Sequence, residues 1–436
     1  MEHDVNREID KMKEELIALR RDFHRYPELG WTEMRTSSII ARKLTDLGFD
    51  QVLTGDEVVH AKDRMGLPEE DYMEQCYARA QKEEGSNLEF LPRTRGGMTG
   101  VIGGLRCGKG PTLALRFDMD ALPVKETDSR DHFPNKEGFS SRHDGIMHAC
   151  GHDCHMAVGL GTAKILAAHR KDLHGTVKFI FQPAEEGVRG ASAIVDAGHM
   201  DDVDYLLGAH MAGDASTREC AIGVGEWRSL ATTKLDADFY GRAAHAGKHP
   251  EEGNNALLSA ASAVLNLHAI PRVGGAMTRI NVGRLIAGAG RNVICDQSHL
   301  ELEVRGSTSE ADEYMERYAR RILESSARMH GCHVKISVAG KTCAGRNDPD
   351  FTEKIRAALM ANSDLRVEPI SQNRSLVSED YATLAEAVQS HGGKSSYLLN
   401  IVPTVASLHE CNFSPDEAGL MNGVKAFTAA VFALMK

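Results

Sequence analysis

The chain has little of what a membrane, secreted or nucleic-acid-binding protein needs. No apolar run reaches the length of a bilayer-spanning segment, and the N-terminus, MEHDVNREIDKMKEEL, is charged where a signal peptide has an apolar core. Positive charge is in deficit, since 51 Lys and Arg against 62 Asp and Glu give a formal net charge of -11. Such a chain has no electrostatic attraction toward nucleic acid or an anionic membrane. We therefore expect a cytoplasmic protein with neither of these partners.

Cysteine is too sparse and too scattered for a disulfide framework. The 436 residues contain 9 cysteines, an odd number without paired spacing, which is typical of reduced thiols, a few of which can bind metal. A hydrophobic content of 42% and a charged content of 26% are ordinary for a globular protein. The chain is longer than a single core usually supports, so two domains are expected.

Apolar runs and amphipathic segments alternate along most of the chain. One amphipathic helix is predicted from Ile9 to Phe23, and buried strands are predicted for TLALRFD, TVKFIFQP and VDYLLGAH, with helical segments between them. This alternation favours an α/β domain with a mainly parallel central sheet, whose ligands bind where strands end. Polar residues follow each of these strands: Asp118, Asp120, Glu185, Glu186 and His210.

The pattern changes between residues 229 and 340. The order becomes strand, helix, strand, strand, helix, strand, with period-two alternation in the strands. This order predicts a ferredoxin-like α+β unit with an antiparallel sheet. Because the α/β pattern resumes afterwards, we assign residues 1–228 and 341–436 to one domain and residues 229–340 to an inserted domain.

The stretch from Met147 to His155 reads MHACGHDCH and concentrates possible metal ligands. It holds three histidines, two cysteines and an aspartate. Residues two apart point the same way in an extended chain, so Cys150 and His152 can present a thiolate and an imidazole to one ion. A lone Cys-x-His pair is nevertheless more often structural, and a single histidine is more often a satisfied polar residue than a ligand.

A second cluster changes that balance. In FQPAEEGVRG, Glu185 and Glu186 directly follow an apolar strand. They are either part of a solvated loop or a metal ligand beside a general base.

His210 and His409 stand at the ends of further apolar runs. With Cys150, His152 and Glu186 they form an N, S and O donor set spread over about 260 residues, whereas a structural zinc site closes four ligands within a short segment. Dispersed ligands favour a catalytic site with two ions.

Eight segments together resemble one family from end to end. They are RRDFHRYPELGWTE from Arg20, ALRFDMDALP from Ala114, MHACGHDCH, FQPAEEGVRGA, GRAAHAGKHPEEGNNAL, GAGRNVICD, SEDYA from Ser378 and LHECNFSPDE. The chain resembles the dinuclear metallo-amidohydrolases, a family that includes aminoacylases, hippurate hydrolase, plant auxin-conjugate hydrolases and carboxypeptidase G. The resemblance implies a metallopeptidase-like α/β catalytic domain and an inserted α+β domain that serves as dimerisation and lid domain.

The resemblance also implies the metal site. Two divalent ions, manganese or zinc, would be bridged by Cys150, and the other ligands would be His152, Glu186, His210 and His409. Glu185 would take a proton from water and pass it to the leaving amine.

The remaining implied roles concern the inserted domain. His245 would reach an active site, in this family often that of the partner subunit, and stabilise the oxyanion of the reaction. Asn292 and Arg305 would bind a substrate carboxylate. An arginine on a buried strand, such as Arg305 in ELEVRGS, is about as often part of a structural ion pair.

Residues 55–98 make the connection between the first helices and the sheet longer than the family usually has. A helix starting at Pro68 is predicted there, with a buried stripe of Tyr72, Met73, Cys76, Tyr77 and Ala80. The simplest interpretation is a surface helix. The string DRMGLP in this insertion, together with HAGKHPEEGNNALL and GRNV, resembles the branch of the family that hydrolyses p-aminobenzoyl-glutamate.

The composition predicts a cytoplasmic protein, and the resemblance implies a metallo-amidohydrolase that cleaves p-aminobenzoyl-glutamate to p-aminobenzoate and glutamate. Two alternatives remain open. One is another N-acyl amino acid or a dipeptide as the substrate of the same chemistry. The other is a non-catalytic subunit that only retains metal, against which the presence of Glu185 argues. The sequence also leaves open whether the chain forms a homodimer or a heteromer with a related B subunit.

Overall fold

The structure is a computed structural model that describes residues 2–213, 216–370 and 377–436. The strands are β1 (Gln51–Thr54), β2 (Val101–Arg106), β3 (Thr112–Asp118), β4 (Thr176–Gln182), β5 (Tyr205–Ala212), β6 (Ala221–Val224), β7 (Ala231–Tyr240), β8 (Thr278–Ala287), β9 (Gln297–Gly306), β10 (His333–Thr342), β11 (Val367–Pro369) and β12 (Lys394–Ile401). The helices are α1 (Glu2–Lys11), α2 (Lys13–Arg25), α3 (Met34–Asp46), α4 (Glu70–Ala80), α5 (Phe133–Glu137), α6 (His152–Ala168), α7 (Ala191–Asp196), α8 (Ala256–His268), α9 (Ser309–Met329), α10 (Pro349–Ala361), α11 (Tyr381–Ser390) and α12 (Ala418–Met435).

The larger sheet carries the polar strand ends. Across the described residues its order is β1-β2-β4-β3-β5-β12-β6-β11. The central neighbours β4, β3, β5 and β12 pair in parallel, whereas β1, β2 and β6 add antiparallel pairs. The predicted mainly parallel centre is therefore confirmed. Since the carboxyl ends of parallel strands meet at one edge, this order brings the residues that follow β3, β4 and β5 together.

Buried side chains cover both faces of this sheet. In β3, Leu113, Leu115 and Phe117 lie in the larger core cluster and Ala114 lies in the second one, as expected for a strand with helices on both faces. The Phe117 ring approaches α6 so closely that a Cβ on Gly159 would lie 2.8 Å from its Cγ. This tight contact packs the middle of α6 against β3, and the cysteine and histidine motif lies at the start of the same helix.

Helix α12 corrects the expectation that no apolar run could span a bilayer. It has 18 residues and is long and apolar enough by composition, but 72% of it is buried inside the structure. It packs against α6, where a Cβ on Gly161 would lie 2.8 Å from Val424 Cγ2. In this fold α12 is a core helix of the larger unit.

The N-terminal amphipathic pattern forms two helices instead of one. α1 ends at Lys11 and α2 begins at Lys13. Ile9, Leu16 and Phe23 nevertheless lie in the same core cluster. The predicted apolar stripe is therefore confirmed, and only the local break at Met12 was missed.

The smaller sheet is antiparallel, with the order β10-β7-β9-β8. Its elements follow the chain as β7, α8, β8, β9, α9 and β10, which is the predicted order. Leu235, Leu300 and Leu323 belong to a separate core cluster formed with α8 and α9. β8 is an edge strand of this sheet.

The 55–98 insertion forms the predicted surface helix and several turns. α4 begins at Glu70, two residues after Pro68. Met73, Cys76 and Ala80 are buried against Met34 and Leu91, with Tyr72 and Tyr77 partly buried beside them. The predicted stripe is confirmed.

Candidate metal centre

A compact polar cluster lies at the carboxyl ends of β3, β4 and β5. Asp120 follows β3, Glu185 follows β4 and His210 lies near the end of β5. α6 adds His152 as its first residue, directly after Gly151, whose φ of 88° is left-handed. That conformation favours glycine and lets Cys150 and His152 lie on two sides of a sharp turn.

The five residues predicted to bind metal lie together. Possible ligand atoms of Cys150, Glu186 and His409 lie within 4.8 Å of one another, and so do those of His152, Glu185 and Glu186. Cys150 Sγ lies 3.4 Å from His210 Nε2. Because Glu186 and Cys150 are each shared between these contacts, the five side chains surround one connected space with Glu185 beside it.

His409 is brought to the cluster from the far end of the sequence. Its main-chain N–H donates to the oxygen of Ala149 at 2.8 Å. Its φ of 69° is left-handed, which is uncommon for a residue other than glycine. The His409 loop is thus attached directly to the segment that carries Cys150.

Two histidines are oriented with one ring nitrogen toward the cluster. His152 Nδ1 lies 2.7 Å from the main-chain oxygen of Asp120, and His210 Nδ1 lies 2.7 Å from that of Met211. A ring nitrogen that faces a carbonyl oxygen carries the proton, which leaves Nε2 as a ligand atom. His152 Nε2 and Glu186 Oε1 are buried and have no hydrogen-bond partner in the part of the chain that the structure describes. A bound cation would satisfy both atoms, so these residues fit a metal ion.

The electrostatics of the cluster also favour added positive charge. Burial, followed by the charges of Glu186 and Glu185, raises the pKa of the Cys150 thiol well above its ordinary value. Burial is also the largest cause that raises the pKa of Glu186, to about 7. Burial alone would lower the pKa of His152, but nearby carboxylates, Asp118 above all, raise it to about 10. A divalent cation would take the place of these protons and stabilise the thiolate.

Asp118 and His155 form a neighbouring group that is already internally paired. The four possible ligands Asp118, His152, His155 and His210 lie within 4.8 Å of one another. However, His155 Nδ1 bonds to Asp118, and His155 Nε2 accepts from the main-chain N–H of Met211 at 2.8 Å. Both nitrogens of His155 are therefore occupied, and this residue supports the cluster from behind.

Asp120 holds the turn that carries the two glutamates. Its carboxylate accepts hydrogen bonds from the main-chain N–H groups of Glu185 and Glu186, each at 2.9 Å. Glu33 accepts from the N–H of Ala184 at 2.7 Å. The sequence pattern marks Asp120 as a polar strand end, but no role was predicted for it, because its partners are main-chain atoms about 65 residues away.

Arg116 connects the segments ALRFDMD and SEDYA. Its guanidinium is fully buried and lies 2.5 Å from Asp118, 3.0 Å from Glu379 and 3.0 Å from Asp380. Glu379 and Asp380 lie close to Glu185. Burial, and then the charge of Glu379, raises the pKa of Glu185 well above its ordinary value. Its surroundings therefore favour the protonated form, which a proton carrier must be able to reach.

His245, Asn292 and Arg305 lie on the inserted unit. His245 is exposed and pairs with Val293 in an isolated bridge, and the oxygen of Asn292 accepts from the N–H of Ala246 at 3.0 Å. His245 and Asn292 thus belong to one pair of loops. Arg305 is engaged with Glu303, with Nε 2.8 Å from Oε1 and Nη2 3.1 Å from Oε2. The structural ion pair that the sequence named as an alternative is thus present, but the Arg305 side chain is 30% exposed, so its role in binding a substrate carboxylate stays a prediction.

A cavity of about 950 Å³ lies beside the loop that carries His409. Its walls come from residues 127–133, 217–218, 403–405 and 411–417, and none of them belongs to the 55–98 insertion. Its size is at the upper end of the range for small-molecule sites. The cavity is thus large enough for one half of an amide substrate.

Buried N, S and O donors at the ends of parallel strands, with a carboxylate beside them and a second α+β unit, define a two-domain metallohydrolase. The chain belongs to the peptidase family M20/M25/M40, whose family model matches residues 114–433. Relatives are named as hydrolases, deacetylases and carboxypeptidases, so this chain is a metallo-amidohydrolase. The family resemblance and the class of enzyme are confirmed.

Two curated relatives match almost the whole chain. The chain is 39% identical over 424 residues to the A subunit of p-aminobenzoyl-glutamate hydrolase from Escherichia coli K12, covering 97% of this chain and 96% of the relative. It is 40% identical over 416 residues to indole-3-acetyl-aspartic acid hydrolase of Enterobacter agglomerans, covering 95% and 94%.

Solved structures confirm the fold. An aminobenzoyl-glutamate utilization protein from Klebsiella pneumoniae matches with a TM-score of 0.83 at 33% identity, covering 98% of both chains. A dinuclear metal-binding peptidase of the M20 family from Bacillus subtilis matches with a TM-score of 0.65 at 25% identity, covering 97% of this chain and 98% of the other. These matches, together with the ligand groups described above, support dinuclear metal binding.

Proposed function

We propose that the chain hydrolyses the amide bond of p-aminobenzoyl-glutamate to p-aminobenzoate and glutamate. The observation that carries this proposal is the likeness over nearly the full length to a protein named for that reaction. The second relative is named for an indole-3-acetyl group joined to aspartic acid. Both names describe an aromatic acyl group on an acidic amino acid, which defines the proposed substrate class.

The proposed metal ligands are Cys150 as the bridge, with His152, Glu186, His210 and His409. Manganese is the proposed metal, and zinc is the alternative that this donor set also suits. Two divalent ions at this place would polarise the amide carbonyl and lower the pKa of water. His152 Nε2 and Glu186 Oε1 support this assignment, because both atoms are buried and neither has a hydrogen-bond partner among the described residues.

Glu185 is the proposed proton carrier. It takes the proton from the attacking water and delivers it to the nitrogen of the leaving amino acid, since a free amine leaves more readily than an amide anion. Asp120 and Glu33 keep Glu185 in place through the main chain of its turn. His245 is proposed to stabilise the developing oxyanion, and Asn292 and Arg305 are proposed to bind a substrate carboxylate.

The large cavity is proposed to receive the acyl half of the substrate. Its walls include the apolar side chains of Phe133, Pro403 and Val405. An uncharged aminobenzoyl ring suits such a wall better than the glutamate half does, since that half carries carboxylates. We therefore place the aromatic group on this side of the metal centre.

The similarity to the relative from Escherichia coli also suggests how the chain assembles. The relative from Escherichia coli is named as an A subunit, so a heteromer with a B subunit is one proposed state. The other is a homodimer through the inserted unit.

The test is hydrolysis by the purified full-length chain, loaded with Mn²⁺ or Zn²⁺, with metal content measured by mass spectrometry. The substrates are p-aminobenzoyl-glutamate, indole-3-acetyl-aspartate, N-acetyl amino acids and a dipeptide. We expect the highest kcat/KM on p-aminobenzoyl-glutamate. A higher kcat/KM on acetylated amino acids would contradict the substrate, and two bound metal ions without turnover of any amide would indicate a non-catalytic subunit.

A further inference from the structure

Arg189 links the turn of Glu185 and Glu186 to the 55–98 insertion. Its Nε donates to the main-chain oxygen of Glu186 at 2.9 Å, and its Nη1 donates to the main-chain oxygen of Gly66 at 2.8 Å. Gly66 lies in the string DRMGLP of the insertion. One guanidinium therefore spans the backbone of a proposed metal ligand and a segment that is distant in sequence.

The same place is in contact with the inserted unit. The N–H of Lys341 in β10 donates to the oxygen of Val188 at 3.0 Å, next to an irregularity of β10 between Val338 and Gly340. A Cβ on Gly340 would lie 2.0 Å from the oxygen of Gly187. We call this meeting point of Gly66, residues 187–189 and residues 339–341 the three-way junction.

Gly66 leaves no spare room in the three-way junction. Its φ is +58°, and a Cβ there would lie 2.3 Å from the oxygen of Ala339 and 2.7 Å from Arg189 Cδ. The backbone of the 55–98 insertion thus packs against the backbone of β10, and it also packs directly against the Arg189 side chain. A movement of Gly66 would therefore also move the Arg189 side chain.

The turn between β4 and α7 needs such external support. Ala184 and Val188 have φ values of 51° and 59°, in the left-handed region that is costly for a β-branched residue. Strained conformations persist where surrounding contacts hold them. The Asp120 carboxylate accepts hydrogen bonds from N–H groups of the turn, while Arg189 donates a hydrogen bond to the main-chain oxygen of Glu186.

We propose that Arg189 is a positioning residue for Glu186, through which the 55–98 insertion sets the metal affinity of the site. The inference rests on the proposed role of Glu186 as a ligand. A planar guanidinium can hold two acceptors at a fixed spacing, which the single ammonium group of lysine cannot do. Without Arg189 the turn relaxes and the Glu186 carboxylate is no longer held in place. The effect falls on metal affinity and kcat more than on KM, because Arg189 binds main-chain oxygens of its own protein.

The test compares Arg189→Ala and Arg189→Lys with Arg95→Ala. Arg95 also belongs to the 55–98 insertion, but it is exposed and pairs with Glu74 of α4, so its loss does not disturb the three-way junction. Titration calorimetry of the metal-free full-length protein measures Mn²⁺ affinity, and kcat and KM are measured at saturating Mn²⁺. We expect Arg189→Ala to weaken at least one Mn²⁺ site by roughly 10- to 100-fold, Arg189→Lys to weaken it less, and Arg95→Ala to bind as wild type does.

Wild-type Mn²⁺ affinity in Arg189→Ala, or an equal loss in Arg95→Ala, would overturn the inference. If Arg189→Ala does not fold, Arg189→Lys decides, because it keeps the charge and most of the volume. Wild type that binds no Mn²⁺ and hydrolyses no aromatic amide would instead contradict the proposed function. The two failures are therefore distinguishable.

Discussion

At the scale of single residues, substitutions of the two adjacent glutamates are expected to have different effects on activity and metal content. Glu185→Gln should retain both metal ions and lose activity, because it removes the proton carrier and no ligand. We expect kcat to fall by roughly 10²- to 10⁴-fold, measured beside metal content. Glu186→Gln is the matched control and should lose metal first. Near-normal kcat in Glu185→Gln would show that another group carries the proton.

A second residue-scale prediction concerns His24 and the pH dependence of stability. His24 is buried, with Nδ1 2.9 Å from Asp153 Oδ2 and Nε2 3.0 Å from Glu126 Oε1. Burial and Arg20 lower its pKa, but the hydrogen bonds to Asp153 and Glu126 outweigh them and raise the pKa above 6.5. A raised folded-state pKa contributes stability that is fully present below the unfolded pKa and is lost as pH rises through the folded one.

The free energy of unfolding should therefore fall more in His24→Gln at about pH 6 than at about pH 9, as measured by urea unfolding of the wild type and the variant. Taking the difference between the two proteins removes contributions from other titrating groups. A difference that is the same at both pH values would mean that His24 is not held as a cation between the two carboxylates.

The sequence predicted the donors of the candidate site better than their supports. Cys150, His152 and Glu186 stand in short motifs of possible metal ligands, which gained weight only when taken together, and the structure places these residues in one cluster. Asp120 and Arg189 were missed because they bind main-chain atoms, and no side-chain pattern in one sequence records such partners. The ion pair of Arg305 with Glu303 could be named only as an alternative, since it depends on the alignment of side chains along one strand.

At the scale of elements, α4 tests whether the insertion is an independent surface feature. Met73 is 7% exposed and packs against Met34 and Leu91. Met73→Ala should lower the free energy of unfolding by about 2 kcal/mol or more, because it leaves a cavity under the helix. The control Gln75→Ala, an exposed position of the same helix, should change it by less than about 0.5 kcal/mol. Equal effects in urea unfolding would mean that the stripe is not a packed core.

Element order followed from periodicity, but pairing did not. The alternation of strands and helices predicted both the central parallel strands and the order β7, α8, β8, β9, α9 and β10, because period-two and helical patterns are local. The antiparallel additions β1, β2 and β6 were not predicted, since the pairing of a strand is set by contacts with residues distant in sequence. The break at Met12 was missed because the apolar stripe continues across it.

At the scale of the whole molecule, the inserted unit has exposed apolar side chains on an edge strand and on a helix. Leu285 and Ile286 of β8 are 42% and 49% exposed, and Leu265 of α8 is 76% exposed. An edge strand with unpaired main-chain groups can pair with another chain, and two copies of one chain pair most often about a two-fold axis. This surface supports the proposed homodimer and stays a prediction until the oligomeric state is measured.

The last prediction uses that dimer to ask where His245 acts. His245 is exposed on the inserted unit, whereas Glu185 lies in the larger unit. If each subunit delivers His245 to the other's site, then His245→Ala and Glu185→Gln homodimers are both nearly inactive. Mixed dimers, however, contain one site with both lesions and one with neither. Random reassociation of equal amounts gives half mixed dimers, so activity should return to roughly a quarter of wild type.

The mixture must first be shown to have exchanged subunits, for which native mass spectrometry of two differently tagged variants is suited. The control is a mixture of Glu185→Gln with Glu186→Gln, two lesions of the same unit. Mixed dimers of that pair carry one lesion in each site, so no recovery is expected. If His245 serves its own subunit, the first mixture should behave like this control. Every site then keeps one lesion, and absence of recovery after exchange would exclude delivery of His245 across the dimer.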